Sequence, residues 1–153
     1  MQNTEKKMPA TADLERAERI REALAALEEV NRASPVIVEG KNDAAALRKL
    51  GLSGEIITLH RGKGLYEFCE DIADKFPRVV LLLDWDGKGE SLFRTVSEHL
   101  NGHWEEFSAF RSLIKILCCK EIKDIEGMPK LLSRLEGPKS GDMTGDTADE
   151  YSR

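Results

Sequence analysis

Two apolar runs without alternation, Val36-Ile37-Val38 and Val79-Val80-Leu81-Leu82-Leu83, each break off into carboxylate and glycine. Unalternating aliphatic runs of this length read as strands buried on both faces, as in a parallel sheet. A third run, residues 55–59, is similar. Between the strands the period changes to that of helices. Leu14, Ala17, Ile20, Leu24, Leu27 and Val30 predict a helix over residues 11–33, with Thr11 as N-cap and Glu15–Arg19 as a surface pair. Further helices are expected from Asn42 or Asp43 to Leu50, stopped by Gly51, over residues 63–76, and over residues 90–100, where Leu92, Phe93, Val96 and Leu100 share one side. Another should cover residues 104–117, and a short one residues 128–135. Residues 120–126 alternate polar and apolar, which predicts a short edge strand.

Strands alternating with helices give an α/β fold, here a compact sandwich with a mostly parallel sheet of about four strands flanked by helices and an extra N-terminal helix. Ligands of such sheets gather outside the carboxyl ends of the strands, so Glu39, Asp84 and Asp86 should share one edge. Carboxylates crowded there repel one another unless a cation offsets the repulsion. Magnesium fits, because it is a hard ion held by one or two carboxylates together with waters and substrate phosphate. Trp85, between the aspartates, should point away from them into the core if the strand geometry persists.

Around that edge lie candidates for an anionic substrate. Lys41 stands beside the N-terminus of the helix expected from Asn42 or Asp43, which faces Glu39, although a solvated turn lysine fits the same position. Gly40 and Gly87 allow a backbone or phosphate to come close, and Lys88 adds charge beside them. The loop His60-Arg61-Gly62-Lys63-Gly64 follows a strand end, where Arg61 and Lys63 could grip phosphate; taken alone, Gly-Lys-Gly is a weak signal.

These residues resemble the TOPRIM family, shared by topoisomerases, bacterial-type primases, recombination-repair proteins and a nuclease that matures 5S ribosomal RNA. The matching motifs are hydrophobic-strand-Glu-Gly, Val36 to Gly40, and hydrophobic-strand-Asp-x-Asp-x-x-Gly, Val79 to Gly89. Glu-Gly-Lys-Asn-Asp looks most like the ribosomal-RNA maturase and small uncharacterised archaeal proteins that are little more than this domain. The resemblance covers residues 34–126, between a disordered start at 1–10, the helix at 11–33, a helix at 127–136 and a disordered tail at 137–153. It implies a Rossmann-like strand order of second, first, third, fourth. It also implies magnesium, replaceable by manganese, on Glu39, Asp84 and Asp86, with Glu39 as general acid or base. Lys123, in a Lys-Asp pair after the last core strand, is similar to a family position and joins the substrate contacts.

The activity implied is magnesium-dependent phosphoryl transfer on nucleic acid, foremost phosphodiester cleavage of RNA or DNA. Alternatives are a non-catalytic, metal-dependent nucleic-acid-binding subunit of a processing complex, and primase-like nucleotidyl transfer with partners. No zinc-ribbon cysteine pattern accompanies the domain, and Tyr66 and Tyr151 lack the context of a topoisomerase nucleophile.

The chain has 153 residues and a formal net charge of −5, which argues against indiscriminate duplex binding but allows a local basic rim beside a metal site. Three cysteines, Cys69, Cys118 and Cys119, form no even framework and suggest reduced thiols in a cytoplasmic protein, the adjacent pair in the core. No apolar run is long enough to span a bilayer. Nucleic acid is the expected partner, with room for a protein partner or homodimer.

Overall fold

The computed structural model describes residues 10–59 and 64–138. In chain order it contains α1 (Thr11–Asn31), β1 (Val36–Val38), α2 (Lys41–Lys49), β2 (Ile56–Thr58), α3 (Leu65–Lys75), β3 (Val80–Leu81) and α4 (Gly87–His99). A 3₁₀ turn, Glu105–Phe107, leads into α5 (Ser108–Cys118), and α6 (Met128–Glu136) follows. Of the disordered start expected at residues 1–10 and the tail expected at 137–153, residues 1–9 and 139–153 lie outside the described residues, as do Arg61 and Lys63.

The described sheet has three parallel strands in the order β2-β1-β3, flanked by helices on both faces. The central strand carries Val36, Ile37 and Val38, each fully buried, because both of its faces are covered. Val36, Val38, Val80 and Leu82 face one apolar layer, with Ile20, Leu24 and Leu27 of α1, Ile114 of α5 and Leu132 of α6. Ile37, Val79, Leu81 and Leu83 face the other, with Phe68 and Ile72 of α3 and Val96 of α4. Two-residue alternation along each strand thus divides one apolar run between two cores.

Several boundaries differ from those read in the sequence. Leu14 is 43% exposed, so the buried stripe of α1 begins at Ala17, and the N-cap is Ala10 rather than Thr11. Gly40 caps α2, where Asn42 or Asp43 was expected, and Asp43 reaches back from the third helical position to accept from the Gly40 N–H at 3.1 Å. Gly51, at φ +110°, ends that helix as expected. Residues 120–126 form turns instead of a fourth strand. Their backbone still meets the end of β3: the Trp85 N–H donates to the Lys123 carbonyl at 3.0 Å. Cys69 and Cys118 are buried and Cys119 is exposed, so only one of the adjacent pair is in the core.

Candidate functional site

The site forms where β1 and β3 end side by side. Hydrogen bonds from the Val80 N–H to Pro35 and from the Leu82 N–H to Ile37 set the register, both at 2.9 Å. This register brings the next residues together: the Asp84 N–H donates to Glu39 Oε2 at 3.2 Å. Glu39 and Asp84, 45 positions apart, therefore meet as their strand positions require.

After Leu83 the chain leaves strand geometry. Trp85 packs with the α1, α5 and α6 layer, the side faced by Val80 and Leu82, whereas continued alternation would send it to the other. It is buried, as expected of a core residue, and its indole N–H donates to the Ile122 carbonyl at 2.8 Å. This break frees Asp84 to turn toward the segment after α5, where its Oδ1 accepts from the Ile125 N–H at 2.9 Å.

Asp86 caps α4, its Oδ1 accepting from the Gly89 N–H at 2.7 Å. The helix expected from residue 90 consequently starts earlier, with Gly87 to Gly89 in its first turn. Close backbone approach does occur there, between parts of the protein itself. A Cβ at Gly89 would lie 2.2 Å from the Asp84 carbonyl oxygen and 2.9 Å from Glu39 Oε2, so only glycine lets α4 begin against both acids. Gly87 has open space at the same position.

Arg111, within the helix expected over residues 104–117, has a role that sequence reasoning missed. Arg111 is 6% exposed and grips the end of β3 from below, Nε donating to the Leu83 carbonyl at 2.8 Å and a terminal nitrogen to the Asp84 carbonyl at 2.7 Å. Glu90, 3.3 Å away, offsets its charge, and the Phe93 ring lies 4.1 Å beneath the guanidinium. Lys115 also pairs with Glu90.

A cleft of about 640 Å³ opens over these elements, bordered by Glu39, Lys41, Asn42, Asp43, Lys88 and Glu126 among others. Lys41 and Lys88 stand in the first turns of α2 and α4, where the helix N-termini add partial positive charge. Leu59 and Leu65 also line it. Asp84 and Asp86 do not border the cleft; Asp84, 8% exposed, lies behind Glu39. Lys123 is exposed, also away from the cleft lining, and contributes its backbone carbonyl to Trp85.

Burial dominates the electrostatics. It pushes the Asp84 carboxyl up to about 7, with Asp43, Glu39 and Asp124 adding repulsion and the Ile125 N–H opposing it. Burial also raises Glu39, whose repulsion from Asp86 and Asp43 outlines the acidic centre while the Asp84 N–H and Lys88 act in the opposite direction. Asp43 is raised by burial too, with Asp124 and Glu126 as its acidic neighbours. Asp43, Asp124 and Glu126 extend the acidic patch beyond the three expected carboxylates. Asp43 could have been suspected from its Glu-Gly-Lys-Asn-Asp spacing, which places it one helical turn from Glu39.

The donors are all oxygens, the chemistry a hard cation prefers. Among the described residues no group of three His, Cys, Asp or Glu is arranged to hold a metal ion. Coordination by one or two carboxylates, completed by water and substrate oxygens, is what this donor set fits.

Fold and site together define an α/β domain whose acidic centre lies at the carboxyl ends of adjacent parallel strands, under a lysine-bearing cleft. The chain belongs to the UPF0292 family: it is 36% identical over 126 residues to the UPF0292 protein of Methanosarcina barkeri, covering 78% of this chain and 85% of that relative. The UPF0292 protein of Pyrococcus horikoshii is 40% identical over 101 residues, 65% of this chain and 75% of its own. A solved structure from Aquifex aeolicus superimposes with a TM-score of 0.56 at 30% identity, covering 69% of this chain and 94% of that one. No family model matches the chain. Among the described residues no helix is long and apolar enough to cross a membrane.

Proposed function

We propose that this chain is a TOPRIM-type domain that carries out magnesium-dependent phosphodiester cleavage in RNA or DNA. The observation that carries the reading is the junction of Glu39 with the Asp84 backbone at the carboxyl ends of β1 and β3, beneath a cleft bearing Lys41 and Lys88. Ligands of parallel sheets bind at such a junction.

Each side chain has a task its surroundings suit. Lys41 and Lys88 hold phosphate oxygens, helped by the N-termini of α2 and α4. Glu39 borders the cleft, where burial raises its carboxyl above the ordinary value, the direction that suits a residue giving and taking a proton at the reacting oxygen. Asp84 and Asp86, each oriented by one backbone N–H, would hold magnesium directly or through water, with Glu39 completing the site. Magnesium there, or manganese in its place, would neutralise phosphate charge and stabilise the departing oxygen. Arg61 and Lys63, between Leu59 and Leu65 in the sequence, would add substrate contacts, and Lys123 a charge at the outer edge.

A second reading, a metal-dependent nucleic-acid-binding subunit without turnover, draws on the burial of Asp84 away from the cleft lining. One experiment separates the two: the full chain is incubated with structured RNA, single-stranded DNA and duplex DNA, with magnesium or manganese. Product that requires metal and disappears in Asp84→Asn supports cleavage. Retention of a nucleic acid without product supports the subunit, and neither product nor retention contradicts both.

A further inference from the structure

Away from the cleft, on the outer side of the α1–α5 layer, lies a groove of about 390 Å³ floored by Ala23, Ala26 and Ala109 and walled by Phe110 and Leu113. Beside it Ile116, one turn beyond Leu113 on α5, stands 72% exposed, and Leu113 itself is 43% exposed. Large aliphatic side chains left in water next to a trough of small ones make a concave and a convex half on one face. Such a face is self-complementary: when two copies meet about a two-fold axis, the ridge of each fills the groove of the other.

The charges at the groove's edge identify the occupant. Arg19 and Glu22, on adjacent turns of α1, both border the groove. Among the described residues neither takes part in an ion pair, and the anticipated Glu15–Arg19 pair does not form. Other arginines of the same helix are paired within the chain: Arg16 takes Glu121 through two bonds, at 2.8 and 2.5 Å, and Arg21 takes Glu136 through two, at 2.8 and 2.9 Å. An unpaired plus and an unpaired minus flanking one apolar groove are what a two-fold contact uses, since a residue facing its counterpart across the axis is faced in return. The groove shares no lining residue with the cleft at the strand ends, so its occupation leaves the cleft open.

We infer that the α1–α5 face is a homodimer interface, in which Ile116 and Leu113 of each copy enter the alanine-floored groove of the other and Arg19 pairs with Glu22 across the axis. The apolar ridge supplies the affinity and the crossed ion pairs fix the orientation.

Sedimentation equilibrium of the full chain tests it over about 1–100 μM, the range in which a contact of modest size dissociates. The wild-type chain has twice the monomer mass at the upper end. Ile116→Asp, at a side chain already in water, leaves the melting of the monomer intact and weakens dimerisation at least about 30-fold, the effect of losing an interface hot spot. Arg19→Glu and Glu22→Arg each weaken it as well, and the double reversal recovers most of the loss because the pairs re-form with exchanged signs. A wild-type chain that stays monomeric throughout overturns the inference and leaves the face to an unlike partner. So does a dimer indifferent to Ile116→Asp, and failure of the double reversal to recover affinity overturns the crossed pairing.

Discussion

Asp84 is a carboxylate in a place that disfavours its charge. Its ordinary value is 3.8, and in the fold burial raises it to about 7. Because the folded value lies above the unfolded one, the protonated side chain is favoured by folding: its contribution is complete below about pH 4 and is lost as pH rises through about 7. Without divalent metal, the chain should therefore melt at a lower temperature at pH 8 than at pH 5.5 by this contribution. Asp84→Asn, which removes the charge and keeps an oxygen for the Ile125 N–H, should raise the metal-free melting temperature at pH 8 by several degrees, about 1–3 kcal/mol. Thermal denaturation of both proteins at both pH values measures this, and an Asn variant less stable than wild type at pH 8 contradicts it. Gly89 carries the opposite constraint, one of space. Gly89→Ala puts a methyl group 2.2 Å from the Asp84 carbonyl and 2.9 Å from Glu39, against backbone that cannot yield as a flexible side chain would. The expected cost is about 1–3 kcal/mol of stability by chemical denaturation, whereas Gly87→Ala, with open space, should be nearly neutral.

At the scale of elements, the end of β3 decides the site. The strand's apolar run was legible in the sequence because its burial on both faces leaves no alternation. The carboxylates that end it were legible because strand ends gather ligands. What the sequence did not show is how the chain turns after Leu83. That turn depends on partners distant in the chain: Arg111 on the Leu83 and Asp84 carbonyls, Ile122 on the Trp85 indole, Ile125 on the Asp84 carboxylate. No local propensity encodes such contacts. The expected fourth strand misled for a related reason. The two apolar positions in residues 120–126, Ile122 and Ile125, are three apart and reach inward from turns, and in place of pairing with β3 the segment meets the chain beyond it, through contacts such as Trp85 with Lys123. Arg111→Met keeps the length and apolar stem but leaves two carbonyls without their donor and Glu90 without one of its cations. It should destabilise the fold by about 2–4 kcal/mol, read from denaturant midpoints, and lower any metal affinity of the site. Unchanged stability would show that the grip under β3 is dispensable.

For the whole molecule, the proposed chemistry and the proposed assembly use separate surfaces. The cleft lies at the strand ends between α2 and α4, and the α1–α5 face is separate from it. In a chain of net charge −5, whose cleft also carries Glu39, Asp43 and Glu126, the proposed function makes Lys41 and Lys88 the local rim for phosphate. Lys88→Glu should accordingly weaken nucleic-acid retention and flatten its salt dependence, in proportion to one lost phosphate contact. Binding titrations at two salt concentrations check this, and retention equal to wild type at both would remove Lys88 from the substrate path.

The central claim is that Glu39, Asp84 and Asp86 act together on a cation beside a substrate phosphate. The measurement that tests it most directly is a manganese titration of the full chain, followed by electron paramagnetic resonance, with a short single-stranded oligonucleotide present and Glu39→Gln and Asp84→Asn run alongside. The account predicts saturable binding by the wild-type chain, weakened at least about tenfold in each variant, the loss expected when a metal-orienting group is removed. Equal manganese affinity in all three proteins would contradict it.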